Sequence, residues 1–575
     1  MCSLKNMALH VINIRSALVL ANLLVSSLCI AIDASLPGTK VLDAIFIPNS
    51  ENVRGYLHLP TELPAYSGVN IHWKSSHPDV VSDKPHGRIA AGVVKRPAVG
   101  SDAVPVHLTA CIKDYGYQSL CRQFLVRVQP AVHVAQFSRC AMTNFARSNS
   151  NIGQQVYFAT SVGNDPTAWV ATNDGKAVLN STKGMHGTRD PVVVRAPEGD
   201  RFFLIATDLN VDAVEYGWKD WGWAQSGASR YIEVWESDDL RNWSQQRHVL
   251  VSPEEAGMTY APEAIWDPQI GEFVVFWTSS MYPKGTHYSS DKGDPNGRYP
   301  LTGGQTLYST TRDFVNFSPA KVMIARTGHG TLDPVIITDE KGYYQRIISD
   351  RNSTGVNLTW YGLPCDSEDL YQERARFILA QPDEWELVAT CITHRTMNTT
   401  YAEGPLVFKA NLGDPRGKGY YMYADQKWAG SPSGEFMEEQ YQPYWTADVG
   451  KPDWQPINWT QKPDYDLSLG VIRHGHIWSL TTAEHAALRG ANLRSIEIIP
   501  PKKRVYRIGE SLDLEGMVVS ARYSDGITDD ELFEGYGGYS ISGFNPRRKG
   551  KQAVKVSYSV VDITKSASFT VAVKH

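Results

Sequence analysis

No sign of charge dominates this 575-residue chain: Lys and Arg number 56 against 61 Asp and Glu, a formal balance of −5. Nucleic-acid binding needs a basic footprint, so that partner is not expected. The sequence has no phosphate-cradling loop, no G-x-G-x-x-G fingerprint and no G-x-S-x-G elbow. Nucleotide, dinucleotide and serine-hydrolase chemistry therefore have no starting point. After the N-terminus no apolar run is long enough to cross a bilayer. Tryptophan is nearly absent from the flanks: of 16, only Trp73 lies outside residues 151–485. What is present is a 42% hydrophobic, 20% charged composition, with apolar material for several cores. At roughly 100–200 residues per domain, the length suits about three or four units.

Residues 1–32 read as a secretory signal peptide: Lys5 and Arg15 precede an uncharged run from Ser16 to Ile32, and Ala31 and Ala34 offer cleavage sites. A signal anchor is the alternative. Secretion, and no membrane attachment after cleavage, is the expectation. Seven N-x-S/T sequons, at Asn180, Asn242, Asn316, Asn352, Asn357, Asn398 and Asn458, permit glycosylation. Asn242 and Asn316 sit in turns where the sequon need not be used. Cysteine is scarce. Cys111 and Cys121 flank Tyr115–Gly116–Tyr117 within alternating strands and suit a cross-strand disulfide, Cys365 and Cys391 can pair across a loop, and Cys140 is left odd.

The organisation is all-β. Residues 40–130 and 496–573 show short alternating strands and turn signals, as in small β-sandwiches. The segment 131–153 reads as a linker. Between 154 and 485 the chain repeats itself: His186–Gly187–Thr188–Arg189–Asp190–Pro191 returns 143 residues later as His329–Gly330–Thr331–Leu332–Asp333–Pro334. Asp239–Leu240–Arg241–Asn242–Trp243 returns 74 residues later as Asp313–Phe314–Val315–Asn316–Phe317. Polar residues at Asp190, Glu263, Asp333, Glu403 and His474 are spaced by 73, 70, 70 and 71. About 70 residues hold four strands with loops, so five units imply a five-bladed β-propeller whose inner strands aim these side chains at one axis. Crowded carboxyls push their pKa values apart, which suits glycosidic cleavage by one acid and one base.

These motifs resemble those of glycoside hydrolase family 43, and the resemblance covers residues 154–485. "RDPVVVR" looks like the family's first-blade motif, which makes Asp190 the general base. "YAPEAIWD" is similar to the second motif and implies that Glu263 tunes and orients the acid. "AEGPLVFK" resembles the Glu-Gly-Pro motif and implies Glu403 as the general acid. "VIRHGHI" resembles the last-blade motif, whose His474 would lie near an axial ion such as calcium, with no cofactor required. Most members carry Asp where this chain has Glu263, whose extra methylene shifts the carboxylate by about 1.5 Å. Galactan-acting relatives resemble the chain there, and Asp267 competes for the same role. The flanks resemble bacterial immunoglobulin-like modules, the first of the shortened kind.

Trp218, Trp221 and Trp223, in the Gly-rich insertion "EYGWKDWGWAQSG", suit stacking on sugar faces or blade-edge packing. Asp333 and His186 are further substrate-side candidates. Asp333 copies the Asp190 motif, and an axial or structural place suits it better than that of a second base. His186 and His329 precede the two Asp-Pro motifs, where a structural role also serves. The resemblance implies an inverting hydrolase, an exo-acting α-L-arabinofuranosidase first, with β-xylosidase or β-1,3-galactanase as alternatives. A non-catalytic carbohydrate-binding or adhesion protein and a sialidase-like propeller complete the set. An oligo- or polysaccharide is the expected partner.

Overall fold

In the computed structural model the described residues are 38–112, 120–147, 154–211, 221–282, 304–325, 330–351, 368–428, 440–465 and 471–575. The signal segment, Trp218, His329, Cys365, Asn352 and Asn357 fall outside them. Among the described residues the helices are short, the longest being Thr482–Leu488, and none is long and apolar enough to cross a membrane.

Alternating strands separated by Gly- and Asp-led turns build five four-stranded antiparallel sheets. Their innermost strands, in order, are Thr188–Arg195, Tyr260–Asp267, Gly330–Thr338, Thr399–Lys409 and Val471–Leu480. Each contacts the next, and the last contacts the first, so the sheets close into a five-bladed propeller. The central segment is thus the expected fold, with one correction. Residues 131–153 are not a linker throughout: Arg139–Arg147 is the second strand of the fifth blade, paired between Val471–Leu480 and Tyr157–Val162. Two ends of the propeller chain share one sheet, which satisfies backbone groups that either end alone would leave open.

The repeated turns have a common cause. Asp239 Oδ1 accepts the Arg241 and Asn242 N–H groups, and Asp313 Oδ1 accepts those of Val315 and Asn316. Leu240 and Phe314, in left-handed backbone, are thereby turned into the apolar layers between blades. Asn242 and Asn316 each donate Nδ2 to the same aspartate at 2.8 Å.

The C-terminal module is a two-sheet sandwich. Leu493–Ile499, Val518–Tyr523 and Thr528–Asp529 face Val505–Arg507, Ile563–Lys574, Gly550–Val560 and Tyr539–Ser542. The N-terminal module has fewer described strands than the C-terminal one. Its described strands, Ile71–Ser75, Val104–Ile112 and Leu120–Val128, form a single sheet. Irregular chain carrying Ile47, Val53, Leu57 and Val81 completes its core. Cys111 and Cys121 are joined as adjacent register partners, Cys391 is disulfide-bonded, and Cys140 is a buried free thiol.

Both modules dock on the propeller. Arg96 binds Asp200 at 2.7 and 2.8 Å, and buried Arg312 donates to the Leu57 and Ala90 carbonyls. Arg139 reaches Asp529 of the last module at 2.6 Å.

Candidate active site

Every inner strand breaks register at the same place. The shifts fall between Arg189 and Val192, Tyr260 and Glu263, Leu332 and Val335, Glu403 and Leu406, and Ile472 and Gly475. Such bulges re-aim side chains and bend the strand. In four blades a residue with left-handed φ, Asp190, Ala261, Asp333 or Gly404, is followed by a proline. Proline has no N–H to lose from the ladder, which suits a bulge.

This frame differs from the one read off polar spacing. Asp190 and Asp333 occupy the left-handed position itself, Glu403 precedes it, and Glu263 follows it by two residues. The five expected side chains are therefore not equivalents, and Glu263 reaches inward from a different backbone position. Asp267 closes the hairpin to the next strand, its carboxylate accepting the Gln269 N–H at 2.9 Å, and is not an axial group.

The second strand of each blade clamps the next blade's bulge. Thr143 donates to the Pro191 carbonyl, and Ser349 to that of Ala402. Thr207 accepts from Ala261 N–H, Thr278 from Asp333 N–H, and Asp425 from His474 N–H. Thr207 also donates to Asp190 Oδ2 at 2.9 Å.

His474 lies at the hub. Its Nδ1 is 3.4 Å from Asp190 Oδ1, an ion-pair contact rather than a directional hydrogen bond. Gly404 must be glycine beside it: a Cβ there would fall 2.8 Å from the His474 ring, on a residue with φ of +57°. Burial opposes a charge on His474, but contact with Asp190 and the fields of Asp333, Asp190 and Asp425 outweigh it, raising its pKa to about 9. Burial likewise opposes the Asp190 carboxylate; His474, Arg189 and the Thr207 hydroxyl overcome it and hold Asp190 below the usual range. Glu263 is buried, with Oε1 lacking a hydrogen-bond partner, and burial pushes it up to about 7 against the field of His474. His476, two residues on, is driven down to about 4 by burial and by His474.

Glu403 is held from two sides. Tyr401 Oη donates to Oε2 at 2.6 Å and Arg473 Nη2 donates to Oε1 at 2.8 Å. Its side chain keeps 15% of its exposure and that of Asp190 keeps 16%, so both remain open to a ligand at the axis. Asp333 is buried, and its Oδ2 accepts the Gly404 N–H at 3.0 Å. His186 is exposed in the turn before the first inner strand, its carbonyl held by Gln155 and Asn210. Of the three insertion tryptophans, Trp218 lies outside the described residues. Trp221 and Trp223 belong to the short helix Trp221–Ser226, their side chains likewise outside the described part. That helix is tied to the axis, because Tyr260 Oη donates to the Ala224 carbonyl.

An imidazolium has no lone pair for a metal. With Asp190 beside it, and where no cation occupies the axis, His474 favours the protonated form. Among the described residues, the group that brings three donor atoms within 4.8 Å is Asp208, Glu233 and His248, in the first blade's outer strands. Protein donors already engage it: Met185 N–H on Asp208, His248 and Gln246 on Glu233.

Arg189, Tyr401, Asp425, Arg473 and Thr207 are the site residues that motif reading missed. Arg189, Tyr401 and Arg473 stand inside or beside the quoted motifs, where a buried cation or phenol next to a carboxyl is a usable signal. Asp425 and Thr207 lie on second strands with no repeated motif.

The closed propeller, with partly exposed carboxyls on two of its inner strands, is matched by a family of carbohydrate-active enzymes. The chain belongs to the glycosyl hydrolase 43-related family, whose model, described as a probable glycosyl hydrolase domain, matches residues 136–486. An atrophied bacterial Ig domain matches 43–131 and a bacterial Ig-like domain (group 3) matches 499–573. An α-L-arabinofuranosidase of Bifidobacterium longum subsp. longum is 30% identical over 379 residues, which are 60% of this chain and 33% of that protein. The chain thus spans about a third of that relative's length. Among solved structures, an α-L-arabinanase of Penicillium chrysogenum complexed with arabinobiose is 13% identical, with TM-score 0.32, over 68% of this chain and 89% of that one. A putative exo-β-1,3-galactanase of Bifidobacterium bifidum is 13% identical, with TM-score 0.30, over 68% and 94%.

Proposed function

We propose that the protein is a secreted, inverting glycoside hydrolase that removes α-L-arabinofuranosyl groups from a polysaccharide. Asp190 is the general base, Glu403 the general acid, and Glu263 a buried carboxyl that orients the pair through His474. The observation that carries this reading is the unequal treatment of the axial carboxyls. Asp190 and Glu403, on non-adjacent blades, stay partly exposed, while Glu263, Asp333 and Asp425 are buried as supports. A base must be ionised at the working pH, and the His474 contact keeps Asp190 so. Water deprotonated by Asp190 would attack the anomeric carbon as Glu403 protonates the departing oxygen. The arabinofuranosidase relative supports the choice of sugar, and the uncharged run in residues 1–32 supports secretion.

The test is product analysis on arabinan, arabinoxylan and galactan with the wild type and Glu403→Gln. Free arabinose from the wild type, with turnover reduced about 10²–10⁴-fold in the variant, is expected. Wild-type turnover by Glu403→Gln would remove the acid assignment. Xylose or galactose as the product would move the chain to a β-xylosidase or galactanase specificity.

A further inference from the structure

Glu403 presents a chemical difficulty that its neighbours resolve. A general acid must carry a proton, yet Arg473 sits 2.8 Å from its Oε1, and a guanidinium at that range favours the ionised carboxylate. Arg473, however, is shared. Its Nε donates to Asp425 Oδ2 at 2.8 Å, and that same oxygen accepts the His474 N–H at 3.2 Å. Asp425 is 1% exposed and lies directly across the ladder from Glu403, between strands Thr399–Lys409 and Tyr420–Trp428.

We infer that Asp425 is a positioning residue for the reaction: it takes up the charge and fixes the fork of Arg473, so that Glu403 can hold and deliver a proton. The inference rests on Glu403 being the acid. One buried carboxylate then fixes two consecutive residues: Arg473, which touches the acid, and His474, which touches the base. Without its charge, the guanidinium faces Glu403 alone and the carboxyl becomes a poorer proton donor. Tyr401, donating to Oε2, adds to that preference for the ionised form. Asp190 keeps its hydroxyl and imidazole partners, so the base side is left in place.

Leaving-group dependence separates this role from a structural one. A 2,4-dinitrophenolate departs without a proton, whereas phenolate needs one. Asp425→Asn keeps the shape and an acceptor for His474 N–H while losing the charge. The substrates are 2,4-dinitrophenyl, 4-nitrophenyl and phenyl α-L-arabinofuranosides, with the β-D-galactopyranoside and β-D-xylopyranoside series in parallel. On the phenyl glycoside Asp425→Asn should lose on the order of 10²-fold in kcat, and on the dinitrophenyl glycoside less than about 3-fold. Asp425→Ser, which removes the charge but keeps a small polar side chain, should show the same slope and decides the matter if Asp425→Asn does not fold. Equal losses on all three leaving groups, or no loss, would overturn the inference. Glu403→Gln on the same series keeps the two readings apart. A slope there without one in Asp425→Asn leaves the acid standing and removes Asp425; no slope in Glu403→Gln removes the acid itself.

Discussion

The first and third blades carry nearly the same hexapeptide, His-Gly-Thr-Arg-Asp-Pro and His-Gly-Thr-Leu-Asp-Pro, yet their aspartates have different fates. Both sit in the bulge with φ of 49°. Arg189 stands beside Asp190 where Leu332 stands beside Asp333, and the hydroxyl on the neighbouring strand is used differently. In the first blade Thr207 accepts the Ala261 N–H and donates to Asp190, so the next blade's backbone is satisfied without Asp190. In the third, Ser349 turns to the Ala402 carbonyl, and the Gly404 N–H is left to Asp333. Asp333 is thereby spent on the scaffold, while Asp190 keeps an oxygen facing His474. Similar motifs gain different chemistry partly from which polar backbone group must be satisfied beside them.

The widest gap should appear between Asp190→Asn and Asp333→Asn. Steady-state kinetics on the best substrate should show a loss of about 10²–10⁴-fold in kcat for the first, with a lowered Tm because His474 loses its charged partner. The second should stay within a few-fold in kcat and lose about 1 kcal/mol in denaturant unfolding, because the Gly404 N–H keeps an amide oxygen as acceptor but loses a charged one. Comparable kinetic losses would erase the distinction. Thr207→Val should come next. It removes a donor to Asp190 and an acceptor for Ala261, and should lower both kcat, by about tenfold, and stability, by about 1–2 kcal/mol. Ser349→Ala should affect stability alone.

The pH dependence of stability follows from the hub. The His474 pKa is raised from 6.5 to about 9, so its contribution is complete below pH 6.5 and is lost as pH rises through 9. Glu263 is raised from 4.5 to about 7: the unfolded chain gives up its proton first, so rising pH between these values also destabilises the fold. His476, lowered to about 4, works the other way between pH 4 and 6.5, so thermal melts should show Tm falling mainly from pH 6.5 to 9. Glu263→Gln should leave a net rise below pH 6.5, and His474→Asn should flatten the fall above it. The smallest effect belongs to Ala261, the non-glycine in the second blade's bulge, with φ of 47°. Ala261→Gly should relieve that strain and leave unfolding free energy about 1 kcal/mol higher or unchanged. Gly404→Ala should cost more, since its Cβ would meet the His474 ring.

The propeller was legible because its period appears in polar residues and in the Asp-led turns. Its closure was not, because Arg139–Arg147 joins the fifth blade across most of the domain's length, a non-local pairing that no repeat announces. Asp190 and Glu403 could be named from their motifs. The frame relating them could not be read from polar spacing, because the bulge displaces Glu263 and Glu403 to opposite sides of the left-handed position. The supports Asp425 and Thr207 were invisible for a related reason: they act on the next blade, and nothing in their own strand marks that task.

On the proposed mechanism an ionised Asp190 and a proton-bearing Glu403 act on one glycosidic bond from two non-adjacent blades, so the released sugar must have inverted. Proton NMR of the first sugar released, taken before mutarotation, should show the anomer opposite to that of the substrate; the same anomer would rule the mechanism out.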